Sequence, residues 1–206
     1  MSRVRVKICG MTREADVLAA VAAGADALGF VFTPRSKRFL DAERASELVA
    51  LAPPFIARVA LFMDQPAEEI ARVLEQVPVN LLQFHGDEDA AFCRQFGRPY
   101  LKAVSMTSPA AVAVAGETWP DAAGFLLDSH APGGAGGTGR TFDWTAIPRL
   151  PRPVVLAGGL TPDNVGEAIA RVRPWAVDVS SGVEDSPGIK SAAKLQKFVK
   201  EAKREY

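Results

Sequence analysis

Short apolar runs alternate with amphipathic segments along the whole chain. The runs are rich in Val, Leu, Ile and Phe and are bounded by turn residues, which is typical of strands buried on both faces of a parallel sheet. They predict strands within residues 4–10, 25–32, 57–63, 80–86, 99–106, 124–129, 153–159 and 176–182. The segments between them predict helices over residues 14–23, 42–51, 66–76, 88–95, 109–115, 162–171 and 188–203, with a shorter segment around 144–147. Thr161 followed by Pro162 has the chemistry of a helix N-cap followed by a first-turn proline.

This alternation favours a closed (β/α)8 TIM barrel, an α/β fold, in a single domain over residues 1–206. The strand ends recur at regular intervals, near residues 9, 32, 63, 85, 105, 128, 158 and 180. Barrels of this kind begin at about 200 residues, so the chain is long enough for a minimal one. The alternative is an open doubly wound sheet with a nucleotide site. The glycine-rich segment 133–139 follows the sixth predicted strand rather than the first and lacks a P-loop lysine, so the barrel is favoured.

Polar residues cluster at the carboxyl ends of the predicted strands, where barrel active sites are built. They are Cys9, Gln83, His85, Asp128, Asp178, Ser180 and Ser181. Side chains alternate along a strand, so three pairs are expected to point into the barrel: Lys7 and Cys9, Gln83 and His85, and Asp178 and Ser180. Ile8, Phe84 and Val179 would then face the helices. A cysteine at a strand end is more often a small buried hydrophobic residue than a reactive thiol. The convergence of thiol, carboxylates and imidazole indicates a functional site without selecting a reaction.

The loops after the seventh and eighth predicted strands have the composition of a phosphate site. Gly158 and Gly159 follow the seventh strand, and Ser180, Ser181 and Gly182 follow the eighth. Barrels frequently bind phosphate with these two loops, because glycines let backbone N–H groups approach an anion and serine hydroxyls can donate to it. Either loop alone would be only a tight turn. Together they predict a phosphorylated small-molecule substrate.

Composition narrows the class of protein further. The chain has 206 residues, 48% of them hydrophobic, and its 24 basic and 24 acidic residues cancel. We therefore expect neither nucleic acid nor a membrane as a partner, and the assembly state is a monomer or a homodimer. Two cysteines offer no disulfide framework, which favours a reducing cytoplasm. Two histidines without ligand spacing predict no metal site and no cofactor.

Several distinctive segments follow one another along nearly the whole chain. They are KICGMT at 7–12, GADALGFVF at 24–32, SKR at 36–38, QFHG at 83–86, LDS at 127–129, GGTG at 136–139, FDW at 142–144, LAGGL at 156–160 and VDVSSGVE at 177–184. In this order they resemble the phosphoribosylanthranilate isomerase family of tryptophan biosynthesis. The glycine pairs alone are weak, whereas the opening and closing segments with Asp128 between them are highly specific. Phe84 stands where leucine is common, and Ser191 where an acidic residue is frequent.

The resemblance implies an Amadori rearrangement of N-(5-phosphoribosyl)anthranilate to 1-(2-carboxyphenylamino)-1-deoxyribulose 5-phosphate, the third step of tryptophan synthesis from chorismate. An acid protonates the furanose ring oxygen, and a base removes the C2 proton of the opened iminium. The matching positions give Asp128 as the acid and Cys9 as the base. Arg38 would hold the anthranilate carboxylate, to which its fork is suited. Gln83, His85 and Asp178 are further candidates for substrate contacts.

The base must ionise, so the surroundings of its thiol matter. Lys7 lies two residues before Cys9 on the same strand face, and Arg38 can add positive charge. Closure of the barrel would bring Asp178 beside Lys7 and partly offset that effect. We therefore expect a moderate depression of the pKa of Cys9. Cys93 lies in a helical pattern and is interpreted as a core residue.

Two other functions fit parts of the pattern. One is a different isomerase or lyase on a phosphate-binding barrel. The absence of a metal cluster argues against a pentose-phosphate epimerase, and the absence of catalytic lysines at several strand ends argues against indole-glycerol-phosphate synthase. A catalytically silent barrel that senses a phosphorylated ligand needs neither Cys9 nor Asp128. Turnover of phosphoribosylanthranilate would separate these possibilities.

Overall fold

The computed structural model describes residues 3–129 and 147–204. Its strands are β1 Arg5–Cys9, β2 Ala27–Val31, β3 Ala57–Phe62, β4 Leu81–Phe84, β5 Tyr100–Ser105, β6 Gly124–Asp128, β7 Val154–Leu156 and β8 Ala176–Val179. They run parallel and close into a barrel in chain order, with β1 paired to both β2 and β8. Each lies within its predicted run, so the predicted TIM barrel is confirmed. The glycine-rich segment 133–139 and most of the segment around 144–147 lie outside the described residues.

Helices follow the strands and cover the outside of the barrel. They are α1 Glu14–Ala23, α2 Ala42–Ala50, α3 Ala67–Gln76, α4 Ala90–Arg94, α5 Pro109–Thr118, α6 Val165–Val172 and α7 Ala192–Ala202. Asp41 and Asp89 cap α2 and α4 by accepting hydrogen bonds from backbone N–H groups in the first turn. Within the described ranges, none of these helices has the length and apolar character needed to span a membrane.

Two helices, α6 and α7, begin three or four residues later than their patterns predict. The predicted N-cap Thr161 lies before α6, because the Asn164 side chain accepts from Thr161 N (2.8 Å) and donates to Gly159 O (2.9 Å). Helix α7 was expected from residue 188. Instead, residues 184–190 form an antiparallel hairpin of β9 (Glu184–Ser186) and β10 (Ile189–Lys190). Tertiary hydrogen bonds of these loops override the local helical pattern.

The hydrophobic core has two layers. A small cluster fills the barrel interior and comprises Leu101, Leu126, Val155, Ala157 and Ala176. A much larger layer lies between the strands and the helices, and Ile8, Phe84 and Val179 belong to it. The predicted alternation of inward-facing and outward-facing side chains is therefore confirmed, because the residues between the polar positions face the helices.

Phe84 is the centre of an aromatic group in the outer layer. It is fully buried, and its ring centroid lies 5.8 to 6.3 Å from those of Phe62, Phe92, Phe96 and Tyr100. Stacked and edge-to-face contacts of this kind add to the stabilisation from apolar burial. The ring therefore anchors β4 to the adjoining strands and to α4.

We expect Phe84→Ala to lower the free energy of unfolding by about 3–5 kcal/mol, because it removes buried apolar surface and leaves a cavity. The control Phe84→Leu fills most of the same space and should lose less than about 2 kcal/mol. Urea unfolding followed by circular dichroism measures both. Equal losses of unfolding free energy in the two variants would show that the stability of this aromatic group does not depend on the size of the side chain at position 84.

Candidate active site

The polar residues predicted at the strand ends meet at one mouth of the barrel. They are Lys7 and Cys9 on β1, Gln83 and His85 at the end of β4, Asp128 on β6 and Asp178 on β8. Two direct contacts organise them. Lys7 pairs with Asp178 on one side, and His85 faces Asp128 on the other.

Lys7 and Asp178 form a buried ion pair across the seam between β1 and β8. Their register places them opposite each other, and Lys7 Nζ lies 2.9 Å from Asp178 Oδ1. The side chains are only 4% and 9% exposed. Burial alone would lower the pKa of Lys7, but Asp178 and Cys9 together raise it above its ordinary value. The lysine therefore stays charged inside the mouth, as the sequence predicted.

Cys9 lies beside this pair and is itself buried. Burial raises the pKa of its thiol, and this effect exceeds the opposite effect of Lys7. The expected depression of the pKa is therefore wrong, because the alternation of residues does not reveal how completely the thiol is removed from water. Gly29 of β2 leaves the space for it, since a Cβ there would lie 2.7 Å from Cys9 Sγ.

His85 connects Gln83 to Asp128. Its Nδ1 lies 3.2 Å from Gln83 Nε2, and its Nε2 lies 3.6 Å from Asp128 Oδ2. Burial lowers the pKa of His85, outweighing the effect of Asp128, so the neutral imidazole is favoured. When Gln83 donates to Nδ1, the imidazole proton resides on Nε2 and points toward Asp128. Gln83 is 1% exposed, and its Oε1 has no hydrogen-bond partner within the described ranges.

A cavity of about 250 Å³ opens beside His85 and Asp128. It extends past β5 toward Lys102 and Trp119. Lys102 lies on the outer face of β5, where its Nζ is 3.2 Å from Glu88 Oε2. This second buried lysine therefore belongs to the wall of the cavity and to the packing of the β4 loop, and Glu88 neutralises its charge.

Arg38 reaches the mouth from the loop after β2. Its stem crosses Gly10, where an added Cβ would collide with the Arg38 side chain. Its Nε and Nη2 donate to the two carboxylate oxygens of Glu184, at 2.7 and 2.6 Å. Lys190 Nζ binds the same carboxylate at 2.8 Å and also lies 3.2 Å from Ser180 O. Arg38 is thus fixed by a protein carboxylate at the place where the sequence predicted a substrate contact.

The two loops predicted to bind phosphate pack directly against each other. Gly158 and Gly159 have φ angles of 81° and 67°, a conformation that favours glycine. A side chain at Gly158 would also crowd the Asp128 carboxylate, with its Cβ 2.9 Å from Oδ1. Gly182 lies against the Leu160 carbonyl oxygen, so it too must lack a side chain. The loops after β7 and β8 therefore form one continuous backbone surface beside Asp128.

Glu184 and Lys190 were not predicted as site residues. Glu184 lies within the distinctive segment 177–184, so an acidic residue beside a serine-glycine loop was the available signal. Lys190 falls in residues predicted to be helical, and only the hairpin places it opposite Glu184. Sequence pattern gave no indication of that pairing.

This mouth combines groups that can move protons with groups that can hold anions. Asp128 and Cys9 are potential proton donors and acceptors attached to different strands. Arg38 and the glycine-serine loops offer two separate anion sites. An elongated substrate with two anionic ends and a reactive centre between them matches this distribution of charge.

The chain matches a family model over residues 6–201, and that model describes N-(5'-phosphoribosyl)anthranilate isomerase. One similar protein, the N-(5'-phosphoribosyl)anthranilate isomerase of Dechloromonas aromatica, is 54% identical over 198 residues. The match covers 96% of this chain and 95% of that protein.

Solved structures show the same similarity. A phosphoribosyl anthranilate isomerase in complex with reduced 1-(o-carboxyphenylamino)-1-deoxyribulose 5-phosphate is 42% identical, with a TM-score of 0.84 over 97% of this chain and 98% of the other. Monomers generated from the dimeric isomerase of Thermotoga maritima are 40% identical, with a TM-score of 0.85 over the same shares of the two chains. The fold, the ordered segments and these full-length matches together establish that the chain belongs to the N-(5'-phosphoribosyl)anthranilate isomerase family.

Proposed function

We propose that this chain isomerises N-(5-phosphoribosyl)anthranilate to 1-(2-carboxyphenylamino)-1-deoxyribulose 5-phosphate, with Asp128 as general acid and Cys9 as general base. The observation that carries the proposal is the meeting of these two residues at one barrel mouth, in a chain that belongs to this family. The reaction moves protons and requires no net change in oxidation state. Fluorescence-monitored turnover of phosphoribosylanthranilate by the purified chain tests it directly.

Asp128 donates a proton to the furanose ring oxygen, which opens the ring to an iminium. Its carboxyl group lies beside His85 Nε2 at 3.6 Å and beside the loop of Gly158. That separation is longer than a hydrogen bond, so the neutral imidazole must move closer before it donates to the carboxylate that the step leaves behind. His85 thereby supports the acid without competing for its proton.

Cys9 then removes the C2 proton and gives an enolamine, which tautomerises to the ketone. Lys7 and Lys190 favour the thiolate, whereas burial opposes it and raises the pKa of Cys9. Because the pKa is raised, the thiolate fraction at neutral pH is small and grows with pH. The kcat/KM should therefore rise as pH increases above neutrality.

Other residues of the mouth hold the substrate. Arg38 takes the anthranilate carboxylate, and Gln83, His85 and Asp178 contact the reacting part. The phosphate lies between the loops after β7 and β8, at Gly158, Gly159, Ser180, Ser181 and Gly182. The glycine conformations and the contact between these two loops support this assignment.

We further propose that residues 1–206 act as one domain whose partner is this small phosphorylated molecule, not nucleic acid or a membrane. The two free cysteines are compatible with a cytoplasmic location.

Of the two assembly states, monomer and homodimer, we favour the homodimer, supported by the dimeric Thermotoga relative. The fully exposed Phe55, which follows Pro53 and Pro54, is an apolar group that an interface would cover. Mass measurement in solution separates the two states.

We expect Asp128→Asn to reduce kcat by about 10²–10⁴-fold in a folded protein, because an amide cannot deliver the proton. The matched control is Asp121→Asn, whose side chain is 44% exposed, pairs with Arg94 and precedes β6. The control should retain full turnover. Near-normal turnover in a folded Asp128→Asn chain would rule out the acid assignment.

We expect iodoacetamide to alkylate Cys9 before Cys93, with loss of activity in proportion. Burial raises the pKa of Cys93 to about 12, and the residue is completely buried in the outer layer of the core. Labelling of each site is followed by mass spectrometry across a pH series, with Cys93→Ala as the control. Faster labelling of Cys93, or full activity after Cys9 is alkylated, would contradict the base assignment.

We expect inorganic phosphate to inhibit competitively, raising the apparent KM without lowering kcat. The Ser181→Ala variant removes one hydroxyl donor to the anion and should weaken inhibition about tenfold. Steady-state kinetics at several phosphate concentrations measures both effects. A change in kcat alone, or equal inhibition of the variant and the parent, would place the anion elsewhere.

A further inference from the structure

Three charged side chains form a buried group behind the mouth. Arg38, Glu184 and Lys190 have side chains that are 13%, 5% and 0% exposed. Both oxygens of Glu184 are engaged by Arg38, and Oε1 also accepts from Lys190. Despite its burial, the pKa of Glu184 lies below its ordinary value because of these two cations. The carboxylate is therefore ionised in the folded protein.

The way Glu184 binds Arg38 leaves one edge of the guanidinium available. Glu184 takes the edge formed by Nε and Nη2. A guanidinium is planar and carries five N–H donors, so the edge formed by Nη1 and the second Nη2 hydrogen remains. Within residues 3–129 and 147–204, Arg38 Nη1 makes no hydrogen bond. That edge has the geometry for a second planar carboxylate.

Lys190 determines the net charge of the group beside the free edge of Arg38. Arg38 and Glu184 alone would sum to zero, and a neutral pair attracts an incoming anion weakly. Burial lowers the pKa of Lys190, and the adjoining Glu184 carboxylate opposes that effect. With Lys190 protonated, the group carries a net charge of +1 in a site with little water to screen it. Lys190 also contacts Ser180, at 3.2 Å from its carbonyl oxygen and 3.4 Å from Oγ. The same cation thus links the arginine to the loop of the other anion site.

The β9–β10 hairpin holds this group in place. Its register puts Lys190 opposite Glu184. Asp16 of α1 accepts from Lys190 N at 3.2 Å, and Ser191 N donates to Val183 O at 2.9 Å. The hairpin is therefore closed at its base and tied to α1, which restricts the movement of the Glu184 carboxylate.

We propose that Glu184 is a positioning residue for substrate selection, which fixes Arg38 so that its free edge receives a planar carboxylate. Lys190 keeps the group net positive. This inference rests on the proposed function, in which Arg38 contacts the aromatic carboxylate of the substrate. Loss of Glu184 should weaken binding of that carboxylate while leaving binding of the rest of the ligand nearly unchanged.

The test compares two product analogues that differ only in the carboxyl group. One is reduced 1-(2-carboxyphenylamino)-1-deoxyribulose 5-phosphate, and the other is the same compound with an unsubstituted phenyl ring. Calorimetry gives Kd for both with the parent chain and with Glu184→Gln. Glu184→Gln adds net positive charge beside Arg38, which by itself favours the carboxylate, but it removes the two-point ionic contact that orients the guanidinium. Because we expect the loss of orientation to dominate, the Kd of the carboxylate analogue should rise about tenfold or more, and that of the phenyl analogue less than about twofold.

Two further variants separate positioning from general stability. Arg38→Lys keeps the cation but lacks the fork, so it should show the same selective loss, and adding Glu184→Gln to it should change Kd by less than about twofold. Glu167→Gln is the surface control, since that side chain is 57% exposed and pairs with Arg171 on one helix. It should change neither Kd. Melting curves establish that each variant is folded.

The outcomes distinguish this inference from the proposed function. A parent chain that does not turn over phosphoribosylanthranilate would contradict the proposed function and the inference with it. In a parent chain that is active, an equal rise in Kd for both analogues would make Glu184 a general structural residue. Full additivity of Glu184→Gln and Arg38→Lys would equally overturn its role in positioning the arginine.

Discussion

The organisation of this mouth depends on charges that are buried and must therefore be paired. Lys7 and Asp178 are almost completely removed from water, and each alone would carry a large desolvation penalty. Their pairing is satisfied only when β1 and β8 lie side by side in one register. That register in turn fixes Cys9, two residues further along β1. The position of the thiol is thus a consequence of an electrostatic requirement.

Burial and charge oppose each other at Cys9, His85, Lys7 and Glu184. Burial prevails at Cys9 and His85, which favours the neutral thiol and the neutral imidazole. Opposite charges prevail at Lys7 and Glu184, which remain ionised. The same low-water environment therefore holds two kinds of residue. Lys7 and Glu184 form a fixed frame of charge, and Cys9 and His85 are neutral within it.

Sequence alone predicted most of this arrangement. Hydrophobic periodicity predicted the eight strands and which of their side chains face the helices. Closure of the barrel predicted the pairing of Lys7 with Asp178. The direction of the Cys9 pKa was predicted wrongly, because sequence spacing reports neighbouring charges and not the depth of burial. The start of α7 was also wrong, since the helical pattern of residues 188–191 is overridden by hydrogen bonds of the hairpin. For the same reason Lys190 was missed.

The key contacts of the mouth join residues that are far apart along the chain. Lys7 and Asp178 are separated by 171 positions, and Arg38 and Glu184 by 146. Contacts between such distant segments form late, because the chain must first give up the entropy of the intervening loop. Without β8 and the hairpin that follows it, Lys7 would lack Asp178 and Arg38 would lack Glu184. The charged groups of the mouth are therefore assembled only when β8 and the hairpin after it pack against β1 and the loop after β2.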